Sequence, residues 1–229
     1  MVYQGIFMLI AKIFANIFQI WPLLLHGLLM TITVSFGALL IGIIGGILLG
    51  IAACQRFKSK LTLVISGYVL IIRGTPVYVQ VLMVYYALPE LFGINLSPTS
   101  AGIVALGCCS IAYVSEVIRG GINAVPIGQW QAAAILGYSS LQTLWYTIVP
   151  QVIKTVLPAL INEIVAVLKD SSILSAIGLM ELTKVAMNVS ARTLDPIGAY
   201  AVITVMYFVL TSGITLIAKI IEKKLAVET

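Results

Sequence analysis

The chain has 229 residues, 61% of them hydrophobic and only 9% charged, with a mean hydropathy of +1.12. A soluble domain carries about 25% charged residues, so this chain has too little polar surface to cover a globule in water. That excludes a soluble enzyme, a nucleic-acid-binding protein and a disordered chain. The 13 Lys and Arg against 8 Asp and Glu leave a net charge of +5, which in a membrane protein reports which loops face the cytoplasm rather than a polyanionic partner.

About five membrane spans of ~20–25 residues nearly use up such a length, and no second soluble domain is left over. Cys54, Cys108 and Cys109 lie in or beside apolar runs. They are odd in number and lack CxxC spacing, so they read as small core residues and not as a disulfide framework or zinc site. His26 is the only histidine and has no second ligand spaced for metal. No metal or cofactor is expected.

The N-terminus does not read as a cleavable signal, because its first cation, Lys12, comes after the apolar residues it should precede. No charge follows until Arg56. That stretch exceeds one bilayer crossing and divides into a short helix, about Ile6–Ile20, and a first span, about Trp21–Ala53. Lys12 and Asn16 give the short helix a polar side suited to the membrane surface. The break is expected at Trp21–Pro22, since proline disfavours a helical residue before it. Gly42, Gly46 and Gly50 then give the spacing of close helix packing, within the chain in preference to a dimer seam.

A basic turn at Arg56, Lys58 and Lys60 precedes the second span, about Leu61–Leu88. It carries Arg73 near its middle, followed by Gly74, Thr75 and Pro76, which should interrupt the helix. Tyr85 and Tyr86 suit an interfacial belt. The third span is about Thr99–Ile118, the fourth about Val152–Ala176 with Pro158 inside, and the fifth about Pro196–Ala218. With the N-terminus outside, the inner side holds Arg56, Lys58, Lys60, Arg119, Lys154, Lys219, Lys223 and Lys224. The outer side holds Lys12, Lys184 and Arg192. The positive-inside rule favours this orientation, with the C-terminus cytoplasmic.

Residues 119–154 form a longer connection on the expected cytoplasmic side. Pro126 suits the first turn of a helix and Gly137 its end. The helix between them is Ala-rich and almost uncharged. Two readings stand on physics alone: a docking surface that a partner can approach closely, and a helix lying in the headgroup layer.

Ionisable residues at bilayer depth are costly and therefore functional candidates. Glu163 and Asp170 are seven residues apart, on one helix face and about 10.5 Å apart along the axis. One carboxylate could meet a substrate ammonium and the other a polar side chain. Arg73 could take the substrate carboxylate in a two-pronged hydrogen bond, beside Thr75 and the backbone freed at the interruption. The opposing reading pairs Arg73 and Lys169 with the two acids as internal neutralisation. Lys169 and Asp170 point about 100° apart, and Lys169 is the more structural of the two.

The 119–154 connection resembles the cytoplasmic coupling loop of ABC importer permeases, whose motif is Glu-Ala-Ala, three residues, Gly, nine residues, Ile, one residue, Leu-Pro. Gln131, Ala132 and Ala133 take the first place, Gly137 the glycine, Thr147 the isoleucine, and Val149 and Pro150 the last pair. The departures are Gln131 for Glu, Thr147 for Ile and Val149 for Leu. Three further segments resemble the polar amino acid permeases of that class. They are Arg73, Gly74, Thr75 and Pro76 with Gln80; Ala112 to Gly120, containing Glu116 and Arg119; and Leu168 to Leu174, with Ser171 for Thr. The four cover about residues 20–224 in order.

The resemblance implies an all-α integral membrane protein with about five transmembrane helices of the type I importer fold. Residues 1–20 would form an N-terminal extracytoplasmic or interfacial helix and 21–224 the transmembrane domain. Gly128, Gln131, Ala132, Ala133, Gly137 and Pro150 would couple it to a cytoplasmic ATP-binding subunit. A second permease subunit, identical or homologous, and an extracytoplasmic amino acid-binding protein would complete the system in a bacterial inner membrane. The cargo would be a polar or charged amino acid, glutamine or a basic one such as arginine. ATP hydrolysis belongs to a separate subunit, and the chain itself has no phosphate-loop motif. The alternative is an ion-coupled secondary carrier, which would work without an ATPase and usually carries an internal repeat, not seen here. A membrane enzyme fares worse, since Ser115 beside Glu116 and Arg119 lacks an activating base.

Overall fold

A computed structural model describes residues 2–54 and 60–227, with side chains placed for 20–54 and 60–223. Every regular element among the described residues is helical, as lipid requires of a chain that must bond its own backbone groups. Helix α1 is Val2–Ala52 and α2 is Lys60–Gly74. Helix α3, Val77–Phe92, contains a π-helical turn at Met83–Ala87. Helix α4 is Pro98–Ala124 and the short α5 is Ile127–Ile135. Helix α6, Ser140–Ile177, opens with a π segment, Thr143–Ile148, and closes with a 3-10 segment, Ser171–Ile177. Helix α7 is Leu182–Thr193 and α8 is Pro196–Val227.

Among the described residues, four helical stretches are long and apolar enough to cross a membrane: Ile20–Ala52 of α1, α4, α6 and Pro196–Lys223 of α8. Helices α2 and α3 make a fifth when counted as one span, bent by 106° at the break between them. Sequence and structure agree on that interruption at Gly74–Pro76.

They disagree at Pro22. The expected break between a surface helix and the first span is absent, and α1 runs through Pro22 as one 51-residue helix. Proline removes one backbone donor, whereas a break in an apolar setting frees several. The side chains of Lys12 and Asn16 lie outside the described residues.

Helix α1 packs along α4 through its glycines. A Cβ built at Gly46 would lie 2.5 Å from Cβ of Val114, and one at Gly50 would lie 2.7 Å from Cβ of Ile118. A Cβ at Gly42 would run into Ser110. The glycine stripe is therefore an intrachain seam, as the spacing suggested. Around it Val34, Ala38, Ala101, Ala105, Leu106 and Leu174 form one buried cluster.

A second cluster joins Ile118 and Ile122 of α4, Trp130 of α5, and Leu144, Ile148 and Val152 of α6. Trp130 is only 7% exposed and pins α5 to both long helices. The sequence reading did not anticipate α7. It follows a left-handed turn at Gly178, φ +84°, and packs Leu182, Val185 and Ala186 against Leu24 of α1 and Ile203 of α8.

Candidate functional site

The break in the second span is organised by one side chain. Gln80 Nε2 donates to the carbonyl of Ile72 at 2.7 Å, to the carbonyl of Thr75 at 3.0 Å and to Thr75 Oγ1 at 2.7 Å. Thr75 Oγ1 in turn donates to the carbonyl of Ile71 at 2.8 Å. Backbone acceptors freed by Gly74 and Pro76 thus find partners without water. The other end of the same amide, Gln80 Oε1, accepts from the Cys109 thiol of α4 at 2.7 Å.

Cys109 connects this break to the acids. Glu163 and Asp170 both lie within electrostatic reach of its thiol and of each other. Ser110, beside Cys109, carries a buried hydroxyl next to the Glu163 carboxylate. Both acids are half-buried on one face of α6, while Lys169 is exposed. Lys169 opens instead onto a separate groove of about 450 Å³ that it shares with Ser212 and Lys219 of α8. Thr75, Gln80 and Cys109 are thus joined by hydrogen bonds, with Glu163 and Asp170 within electrostatic reach of Cys109.

Arg73 stands apart from this group. Its Nη1 lies 3.7 Å from Glu116 Oε2, and its guanidinium sits 5.3 Å from the ring centroid of Tyr113. Arg119 holds the same carboxylate with two prongs, Nε to Oε1 at 2.8 Å and Nη2 to Oε2 at 2.7 Å. The pairing of Arg73 and Lys169 with Glu163 and Asp170 does not occur: the ion pairs among the described residues are both to Glu116.

The coupling residues divide by exposure. Gly128, Gln131, Ala132, Gly137 and Pro150 are exposed, whereas Ala133 is buried. Gly137, at φ +82°, ends the short helix in a left-handed turn that strongly favours glycine. Next to it Ile135 and Leu136 are 86% and 74% exposed, a large apolar surface outside any core.

Sequence reasoning missed Gln80 and Cys109 as site residues and overlooked Glu181. In the sequence Gln80 stands out only as part of a motif, although a lone amide in an apolar span is itself a signal. Glu181 is fully buried. It caps α7 by accepting from the amides of Thr183 at 2.8 Å and Lys184 at 2.7 Å, and from the Tyr207 hydroxyl at 2.9 Å.

Residues 42–227 match the family described as "Binding-protein-dependent transport system inner membrane component". The chain is 38% identical over 216 residues to the putative glutamine transport system permease protein GlnP of Rickettsia conorii, covering 94% of this chain and 97% of that one. It is 36% identical over 204 residues to the arginine transport system permease protein ArtQ of Bacillus subtilis, covering 89% and 93%. Among solved structures, the crystal structure of an amino acid ABC transporter with histidines superposes with a TM-score of 0.85 at 38% identity, covering 92% and 98%. The MetNI methionine ABC transporter, at 16% identity and a TM-score of 0.78 over 90% and 98%, shares the fold. Membership of this family implies an ATPase and a binding protein as partners. The chain belongs to the binding-protein-dependent ABC transport family as a multi-pass inner-membrane permease of the polar amino acid type, a transport subunit and not an enzyme.

Proposed function

We propose that this permease moves glutamine or a basic amino acid such as arginine by alternating access, and that Glu163 and Asp170 receive the cargo's ammonium and side chain. The observation that carries the reading is the pair of half-buried carboxylates with no cationic partner among the described residues. Charges at bilayer depth face a bundle interior or a water-filled path, and two acids there favour a cationic or hydrogen-bond-donating group. Thr75 is joined to Cys109 through Gln80, where the broken helix brings backbone close to the path. The names of the glutamine and arginine relatives agree with this cargo class.

The N-terminus lies outside and the C-terminus in the cytoplasm, by the distribution of cations. Two permease subunits, identical or homologous, enclose the path. The ATPase docks on α5 through Gly128, Gln131, Ala132 and the exposed apolar surface at Ile135 and Leu136, with Gly137 and Pro150 shaping the turn and the return. The buried Ala133 serves packing. Residues 2–20, continuous with the first span in α1, extend it on the extracytoplasmic side.

The test is reconstitution of permease, ATPase and binding protein in vesicles, with L-glutamine and L-arginine as probes. Glu163→Gln and Asp170→Asn should assemble normally yet lose substrate-stimulated ATP hydrolysis. Unaltered stimulation in both variants rejects the acid site.

A further inference from the structure

The cluster around Arg73 lines its own open groove of about 590 Å³, with Ser66, Val69, Tyr113, Glu116 and Arg119 in its wall. That volume is within the ~300–1,000 Å³ of small-molecule sites. Its charges do not cancel, because two guanidiniums face one carboxylate. Arg119 occupies both oxygens of Glu116 at hydrogen-bond distance, while Arg73 remains at 3.7 Å. Arg73 therefore keeps its planar fork free for a second carboxylate. Its side chain is 46% exposed in this chain. An exposed guanidinium of a membrane protein faces water or the path in preference to lipid, so this groove opens there.

The register of α4 relates the groove to the acids. Cys109, Tyr113 and Glu116 are spaced four and three apart and share one helix face. Cys109 is the residue that Glu163 and Asp170 approach, and Glu116 lies about 10 Å further along the axis. One face of one helix thus passes from an acidic patch to a basic one. In the proposed orientation α4 descends toward the cytoplasm, so the basic patch is the inner of the two.

We propose that the Arg73–Tyr113–Glu116–Arg119 groove is a second station for the transported amino acid, where Arg73 binds the α-carboxylate before release to the cytoplasm. This rests on the reading of Glu163 and Asp170 as the first station. Arg73 acts there by direct contact with the cargo, and Glu116 and Arg119 position it.

The experiment is charge-selective thiol labelling of Ser66→Cys in the nucleotide-free reconstituted complex. An anionic and a cationic methanethiosulfonate are compared, each rate normalised to that with a free thiol in solution and read above the native chain's background. The anionic reagent should react about tenfold faster, the size of effect a focused field gives. Arg73→Gln in the same background should abolish that preference. L-Arginine and L-glutamine should slow the labelling, whereas agmatine, which lacks the carboxylate, should not. Leu70→Cys on the same wall replaces Ser66→Cys if the latter fails to assemble. Absence of reaction with either reagent, equal rates, a preference that survives Arg73→Gln, or protection by agmatine would each overturn the proposal. Glu163→Gln separates the two readings. It should remove substrate-stimulated ATP hydrolysis and leave the anionic preference in place; stimulation that persists beside an intact preference rejects the acid site alone.

Discussion

The thiol of Cys109 donates to the side-chain carbonyl of Gln80 across 2.7 Å, and through that contact α4 is tied to the helix that restarts after the break in the second span. The amide nitrogen of the same side chain holds the carbonyls of Ile72 and Thr75. One glutamine thus completes the backbone bonding of a 106° bend and joins it to the helix that the acids approach.

Gln80→Leu should therefore leave the part-buried Ile72 carbonyl without its donor, at a cost of about 1–3 kcal/mol, while the exposed Thr75 carbonyl adds little. Thermal unfolding of the purified permease should record the loss, and transport should fall with it. Cys109→Ser keeps a donor and should be mild, while Cys109→Ala should weaken the tie. Equal stability of Gln80→Leu and the native chain contradicts this role.

The seam between α1 and α4 predicts a contrast among glycines. Gly46→Ala puts a carbon against Val114 with backbone of Ser115 close behind, so overpacking of about 1–3 kcal/mol is expected. Gly67→Ala and Gly213→Ala meet nothing within 4 Å and should melt like the native protein or slightly higher. Melting curves in one detergent decide between them.

Helix α5 should separate folding from coupling. Trp130→Ala empties a buried site between α4 and α6 and should cost about 3–5 kcal/mol, seen as lost yield and a lowered melting temperature. Ile135→Asp changes an 86% exposed residue and should leave melting unchanged while abolishing co-purification of the ATPase. Gly137→Asp should also lose the ATPase, since it strains the left-handed turn and adds charge. Retention of the ATPase by both variants places the docking surface elsewhere.

Glu181 and Tyr207 should behave as a coupled pair. Glu181→Ala removes the cap of α7, worth about 0.5–2 kcal/mol, and also strands the Tyr207 hydroxyl. Tyr207→Phe alone should cost less, and the double variant should fall short of the sum of the two. A double-mutant cycle on thermal stability measures the shortfall; strict additivity denies the contact.

How much of this was legible follows from the range of the interactions. The break at Gly74–Pro76, the short helix closed by Gly137 and the packing use of Gly42, Gly46 and Gly50 rest on local backbone rules, and the sequence displays them. The shared face of Glu163 and Asp170 and the divergence of Lys169 follow from helical register. Pro22 misled, because a proline rule learned in water overstates the tendency to break where neighbouring carbonyls have no solvent to turn to. Helix α7 was hidden because its polar residues, among them Lys184 and Asn188, make it resemble a loop between apolar spans. The partner of Arg73 could not be read, since Glu116 comes from another span. The Glu116–Arg119 pair, three apart on one helix, was within reach of spacing alone.

Trp130 also carries a mechanical consequence. Its indole is wedged between the end of one crossing and the start of the next, while most of the short helix around it is bare. A partner that moves that helix should therefore shift both crossings together, through the indole packed between them.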